Sequence, residues 1–135
     1  MVKLSVIIPA FNEDRTIRNV VQAVRTSVQI EKEIIIVNDG STDRTFEILE
    51  DLRRDPEIKV IHQQQNRGKG YAIRLGLSQV AGEYVVIQDA DMEVDPSDLP
   101  AILKPLLDKS SQIVYGSRFI NGRNNSTLVS YIANY

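Results

Sequence analysis

Cysteine is absent from the 135-residue chain, and so is tryptophan. Without cysteine there is no disulfide framework, no zinc–thiolate centre and no cysteine nucleophile. A chain of this kind fits a reducing compartment such as the cytoplasm. Glycine (7) and proline (5) are too scarce for a collagen-like or linker sequence. No hydrophobic run approaches the roughly 20 residues needed to span a bilayer. Pro9, Asn12, Glu13 and Asp14 interrupt the apolar start before it reaches the length of a signal-peptide core. Charge of one sign is lacking too: 16 Lys and Arg against 18 Asp and Glu leave a net charge of −2. No basic excess is there to hold a nucleic-acid backbone. What remains, 42% hydrophobic and 25% charged residues, is the composition of an ordinary soluble domain. Its length suits residues 1–135 as one domain with a core that needs no staples.

Short β-branched apolar runs alternate with stretches of helical period. Strands are predicted at 4–8, 33–37, 59–61, 84–87 and 112–115. Helices are predicted over 13–29, 42–54 (Phe46, Leu49 and Leu52 on one face), 69–80 and 97–108. Pro105 should kink or end the last of these. Residues 120–135 begin polar and end as an amphipathic helix. The strands are continuously apolar, as a sheet covered on both faces requires. The expected fold is α/β: a Rossmann-like three-layer α/β/α sandwich with a mostly parallel sheet.

Such a sheet binds ligands at the carboxyl ends of its strands. The segments just after each run are therefore the informative ones. In Asp89-Ala90-Asp91 the extended chain points both carboxylates the same way. They repel unless a cation sits between them, and Mg2+ or Mn2+ resolves this with oxygen ligands; Glu93 could complete the set. A helix cap at Asp95 or Ser97 is the plainer alternative. After the second run, Gly40 to Asp43 read as a turn and helix cap. Asp39 lies at the mouth of the sheet, where it either caps or accepts from a base N–H. Asn66-Arg67-Gly68-Lys69-Gly70 fits neither a Walker A loop nor a dinucleotide fingerprint. Its glycines at a helix start, with Arg67 and Lys69, still suit an anion. Arg118 could fork onto a phosphate. His62, the single histidine, reads as structural, and Glu50, Asp51, Arg53 and Arg54 as a solvated helix face.

Five segments taken in order resemble the start of a family 2 glycosyltransferase with the GT-A fold. They are 4–13 (LSVIIPAFNE), 37–43 (VNDGSTD), 66–72 (NRGKGYA), 88–93 (QDADME) and 115–119 (YGSRF). The resemblance is greatest to polyprenyl-phosphate (dolichyl-phosphate) hexose synthases. It implies that Pro9, Phe11 and Glu13 contact the nucleoside of a nucleotide-sugar, that Asp39 holds the base, and that Lys69 lies near the nucleotide. It implies that Asp89, Ala90 and Asp91 line the diphosphate and that Asp89, Asp91 and Glu93 hold Mg2+ or Mn2+. Arg118 would meet a phosphate, so Asp91 and Arg118 are the expected catalytic residues. Relatives often carry Gln at the position of Glu93.

The implied reaction is inverting, metal-dependent transfer of a hexose from GDP-mannose or UDP-glucose. A polyprenyl-phosphate acceptor is already largely ionised at pH 7 and needs no strong base. A glycan hydroxyl acceptor would need a carboxylate base. The family's catalytic domain continues past the segment matching 130–134. The expectation is therefore the nucleotide and metal half of a longer enzyme at the cytoplasmic membrane face, with weak or no transfer alone and an exposed apolar face that could self-associate. A non-catalytic nucleotide-binding module is the rival reading. A nucleotidyltransferase would need a Gly-rich basic loop where Pro9-Ala10-Phe11-Asn12-Glu13 stands.

Overall fold

The computed structural model describes residues 1, 3–116 and Ile132–Ala133. Four strands form one parallel sheet: β1 (Leu4–Ala10), β2 (Lys32–Asp39), β3 (Ile58–Gln63) and β4 (Tyr84–Ile87), in the order β3-β2-β1-β4. Between them run α1 (Ile17–Ser27), α2 (Thr45–Leu52) and α3 (Lys69–Leu77); α4 (Leu99–Leu107) follows β4 behind a 3-10 turn at Pro96–Asp98. Alternation along the strands divides the core between the two faces. Leu4, Val6, Ile8, Ile34, Ile36 and Val86 pack with α1, α2 and α4. Ile7, Ile35, Val37 and Val85 pack with Ala72 and Leu75 of α3. This is the three-layer sandwich that the continuous apolar runs require, since both faces of each strand must be buried. Helix α3 lies close to the sheet: a Cβ on Gly76 would come within 2.6 Å of Ile7 Cγ2.

Several expectations need correction. The fifth strand does not join the main sheet. Ile113–Val114 (β5) pairs antiparallel with Ile132–Ala133 (β6) as a separate ribbon. Those last two residues are thus strand, where helical periodicity was read; the rest of 120–135 lies outside the described residues. Phe46 does not enter the core. It is 48% exposed, and its ring lies 4.3 Å from that of His62, while Thr45 and Leu49 take the buried face of α2. Helix α1 begins four residues later than its periodicity suggests, because Glu13 O accepts from both Thr16 and Ile17 N–H in a turn. Pro105 does not stop α4 at once; the helix continues two residues beyond it. Burial of Leu99, Ile102, Leu103 and Leu106 offsets the hydrogen bond that proline cannot make.

The far edge of the sheet carries a buried carboxylate. Glu33 accepts from the Ser5 hydroxyl at 2.6 Å and from Ala81 N–H at 2.6 Å, and pairs with Lys59 at 2.6 Å. Burial pushes its pKa up, but Lys59 and the two neutral donors outweigh burial and hold it below 4.5. A depressed carboxylate pKa contributes stability above the unfolded value, and that contribution is lost as pH falls through the folded value. Glu33→Gln should therefore cost about 1–2 kcal/mol at neutral pH. In urea unfolding across pH, the gap between wild type and variant should close as pH drops below 4.5. A gap independent of pH would contradict this.

Candidate nucleotide and metal site

The chain runs β1, β2, β3 in one direction, then crosses to β4 on the other side of β1. This makes a switch point between β1 and β4, where the loops leaving the two strands diverge and open a crevice. Register levels the strand ends: Ala10 lies opposite Asn38 and Gln63 opposite Asp39. A cavity of about 280 Å3 occupies the crevice. Pro9, Phe11, Glu13, Asp39, Lys69, Asp89, Ala90 and Asp91 line it, so eight expected site residues meet there. Ala10, Asn66, Gly68 and Ala72 complete the wall. Glu93 does not line the cavity; it is exposed, and its backbone N–H donates to Asp91 Oδ1 at 3.0 Å. Arg118 lies outside the described residues.

Side chains that were not read as functional hold the wall in place. Asn12 adopts φ +54, a left-handed turn that asparagine tolerates, and its Oδ1 accepts from Thr42 N–H at 2.7 Å. Ser41 Oγ accepts from Asn12 N–H at 3.0 Å, and buried Thr45 accepts from Glu13 N–H at 2.9 Å. Asp43 accepts from Asp14 N–H at 3.2 Å and from Thr45 N–H at 2.8 Å. Burial raises the Asp43 pKa, but these donors outweigh it and keep it low. The Thr16 hydroxyl donates to Ala90 O at 2.6 Å, tying α1 to the acidic segment. Of these, Asn12, Ser41 and Asp43 fall within the segments singled out in the sequence, Ser41 and Asp43 as part of a turn and helix cap and Asn12 with no role of its own. Asp43 does bond locally, to Thr45 N–H, but its bond to Asp14 and that of Ser41 to Asn12 run to a different loop, which no spacing rule within one segment reveals.

Asp39 is 3% exposed and its carboxylate accepts three bonds. Oδ1 accepts from Gln63 Nε2 at 3.1 Å and Arg67 N–H at 2.8 Å; Oδ2 accepts from Gly68 N–H at 2.9 Å. Neither alternative read from the sequence included this role: the carboxylate fastens the next loop, 64–68. Gly40 allows the approach. Its φ is +71, and a Cβ there would lie 2.5 Å from Asn66 N. His62 is structural as expected. Asn38 Oδ1 accepts from Ser41 N–H at 3.1 Å, so its amide nitrogen faces His62 Nδ1 at 3.0 Å and leaves Nε2 to donate to Glu50 at 2.9 Å.

Among the described residues that line it, the crevice carries Glu13, Asp39, Asp89 and Asp91 against Lys69. Burial raises the Glu13 pKa, and the charges of Asp91, Asp43 and Asp89 add to the rise against the opposing Thr16 bond. Lys69 Nζ is ion-paired with Asp89 Oδ1. Met92, between the acids, is held at φ +65, a strained position of the kind that gathers at binding sites. Among the described residues no cluster of three or more acidic or histidine side chains could hold a metal by itself. Asp89 and Asp91 offer hard carboxylate oxygens on one wall of a cavity with room for more ligands. That donor set fits Mg2+ or Mn2+, which combine one or two carboxylates with substrate phosphates and water. Among the described residues no helix is long and apolar enough to cross a membrane.

If Asp39 fastens loop 64–68, Asp39→Ala should release it. Amide hydrogen exchange at Arg67 and Gly68 should accelerate at least about tenfold, while exchange in β1 stays slow. Unchanged protection at both amides would contradict the role.

The family model for glycosyl transferase family 2 matches residues 5–133. A dolichol-phosphate mannosyltransferase of Pyrococcus furiosus is 31% identical over 121 residues, covering 89% of this chain and 34% of its own length. Among solved structures, a mannosyltransferase from Pyrobaculum calidifontis in complex with GDP-Man and Mn2+ superposes with a TM-score of 0.73. It is 26% identical, over 85% of this chain and 35% of its own. Glucosyl-3-phosphoglycerate synthase from Mycobacterium tuberculosis, in complex with Mn2+, UDP and glucosyl-3-phosphoglycerate, gives a TM-score of 0.66 and 30% identity over 84% and 43%. The chain spans 22% and 34% of the length of two of the curated relatives it matches. With the family match over nearly the whole chain and the same fold in its solved neighbours, the chain belongs to glycosyl transferase family 2 and has the GT-A fold.

Proposed function

We propose that the crevice between β1 and β4 binds a nucleoside-diphosphate sugar with a divalent metal, and that the chain is the donor-binding part of a longer hexosyltransferase. The observation that carries this is the joint placement of Asp39, Lys69, Asp89 and Asp91 around one cavity at the switch point. Phe11, 44% exposed at its rim, offers an apolar surface for a base or ribose. Asp89 and Asp91 would hold the metal, which when bound neutralises the charge of the departing diphosphate. Lys69 is freed from Asp89 to meet a phosphate, and Asp91 is kept in place by its turn bond to Glu93 N–H. Attack from the face opposite the diphosphate inverts the sugar carbon. A lipid-phosphate acceptor, such as the dolichol phosphate for which the Pyrococcus relative is named, needs no base from this chain. Arg118 is proposed to meet a phosphate. A peripheral membrane contact and a cytoplasmic site are proposals for the whole protein.

The Asp39 carboxylate favours one base. It has about four acceptor positions, and three are taken by Gln63, Arg67 and Gly68. One remains. Uracil presents a single ring N–H, whereas guanine presents a ring N–H beside an amino group and is best met by two acceptors. The donor base is therefore proposed to be uracil.

Calorimetric titration tests the reading. UDP with Mn2+ should bind at least about tenfold tighter than GDP with Mn2+ or UDP with a chelator, and Asp91→Ala should remove the metal dependence. Tighter GDP binding would overturn the base assignment alone. No binding of either nucleotide would overturn the site.

A further inference from the structure

A second cleft, of about 360 Å3, lies behind the loops that wall the nucleotide cavity, and the two share no lining residue. Asp14, Arg15 and Arg18 line it from the start of α1, and Arg44 and Ile48 from the start of α2. The other arginines of these helices are matched to carboxylates. Arg25 meets Asp55 at 2.6 Å, Arg53 meets Glu50 at 2.7 Å, and Arg54 meets Asp51 at 3.5 Å. Arg18 shares that same Asp51, at 2.8 Å. The side chains of Arg15 and Arg44 make no ion pair or hydrogen bond among the described residues. The acids beside them are engaged elsewhere or outnumbered. Asp43 spends its carboxylate on the backbone N–H groups of Asp14 and Thr45. Asp14 is a single negative charge among three guanidinium groups.

We propose that this cleft is an anion site for a phosphate group, held between Arg15 and Arg44 with Arg18 beside them. A guanidinium offers paired donors in a rigid fork that matches a tetrahedral oxyanion, and two forks from opposite walls suit its several oxygens. The phosphate is either a free monoester or the headgroup of an anionic lipid. An occupant would bridge α1 and α2 on the outer side of the same loops that Asn12, Asp43 and Thr45 join on the inner side. The inference is independent of what the nucleotide cavity binds.

The test is calorimetric titration of inorganic phosphate in chelator-containing buffer, with sedimentation alongside phosphatidylglycerol and phosphatidylcholine vesicles. Wild type should bind phosphate in the millimolar range, phosphatidylglycerol vesicles in preference to phosphatidylcholine, or both. The double variant Arg15→Gln, Arg44→Gln should lose at least about tenfold of that binding with an unchanged thermal transition. The Arg15→Lys, Arg44→Lys pair should keep part of it. Arg53→Gln, Arg74→Gln removes equal charge outside the cleft, at side chains that do not touch Asp51, and should change nothing. Vesicle binding lost in the glutamine pair assigns a lipid headgroup; phosphate binding without vesicle binding assigns a free phosphate. Binding of neither probe, or equal losses in the two glutamine pairs, would overturn the proposal.

Discussion

Asp39 ends β2 with both carboxylate oxygens committed to the loop after β3. The rest of the crevice depends on that commitment. In a parallel sheet, successive strands are joined by crossovers, so no tight turn fixes one strand-end loop against the next. Each loop here is fastened to its neighbour by side chain to backbone bonds. Asp39 secures loop 64–68 and hence the start of α3, where Lys69 stands. Asn12, Ser41, Asp43 and Thr45 join the loops after β1 and β2. Thr16 ties α1 to Ala90 after β4. The result is a cavity wall built from the ends of β1 and β2, the start of α3 and the loops beside them.

This lacing places acids close together, which a folded chain tolerates only with compensation. Asp89 has Lys69 as its partner, and Glu13 responds to burial and to Asp91, Asp43 and Asp89 with a raised pKa. A divalent cation bound by Asp89 and Asp91 would relieve the same repulsion and release Lys69. Metal and nucleotide binding would thereby be linked through charge, with phosphates supplying ligands that two carboxylates leave open.

Much of the fold was legible because burial on both faces leaves a plain mark. The runs at 6–8, 34–37 and 85–87 are β-branched and uninterrupted, and each lies in a strand of the main sheet. The candidate site was legible where a charged residue stands two positions past the end of such a run, as Asp39 and Asp89 do. Elsewhere the deciding contacts were not local. Phe46 has helical spacing with Leu49, yet the ring of His62, sixteen residues away, gives it a surface position. Ile113–Val114 looked like a sheet strand, but its partner is Ile132–Ala133. Asn12 lies within the first segment and Thr16 outside all five, and the sequence marks a role for neither, because their partners, Thr42 and Ala90, are brought to them only by the strand order. For Asp39 the sequence shows a carboxylate at a sheet edge and cannot show that three N–H groups reach it.

The central claim is that Asp89 and Asp91, at the switch point between β1 and β4, hold a divalent metal together with a nucleoside diphosphate. Paramagnetic broadening of amide signals by Mn2+ in the presence of UDP tests it most directly. Broadening should centre on Asp89, Ala90 and Asp91 and reach Lys69, with Arg53 and Arg54, just past the end of α2, unaffected. Broadening centred elsewhere, or spread evenly over the acidic surface, would contradict it.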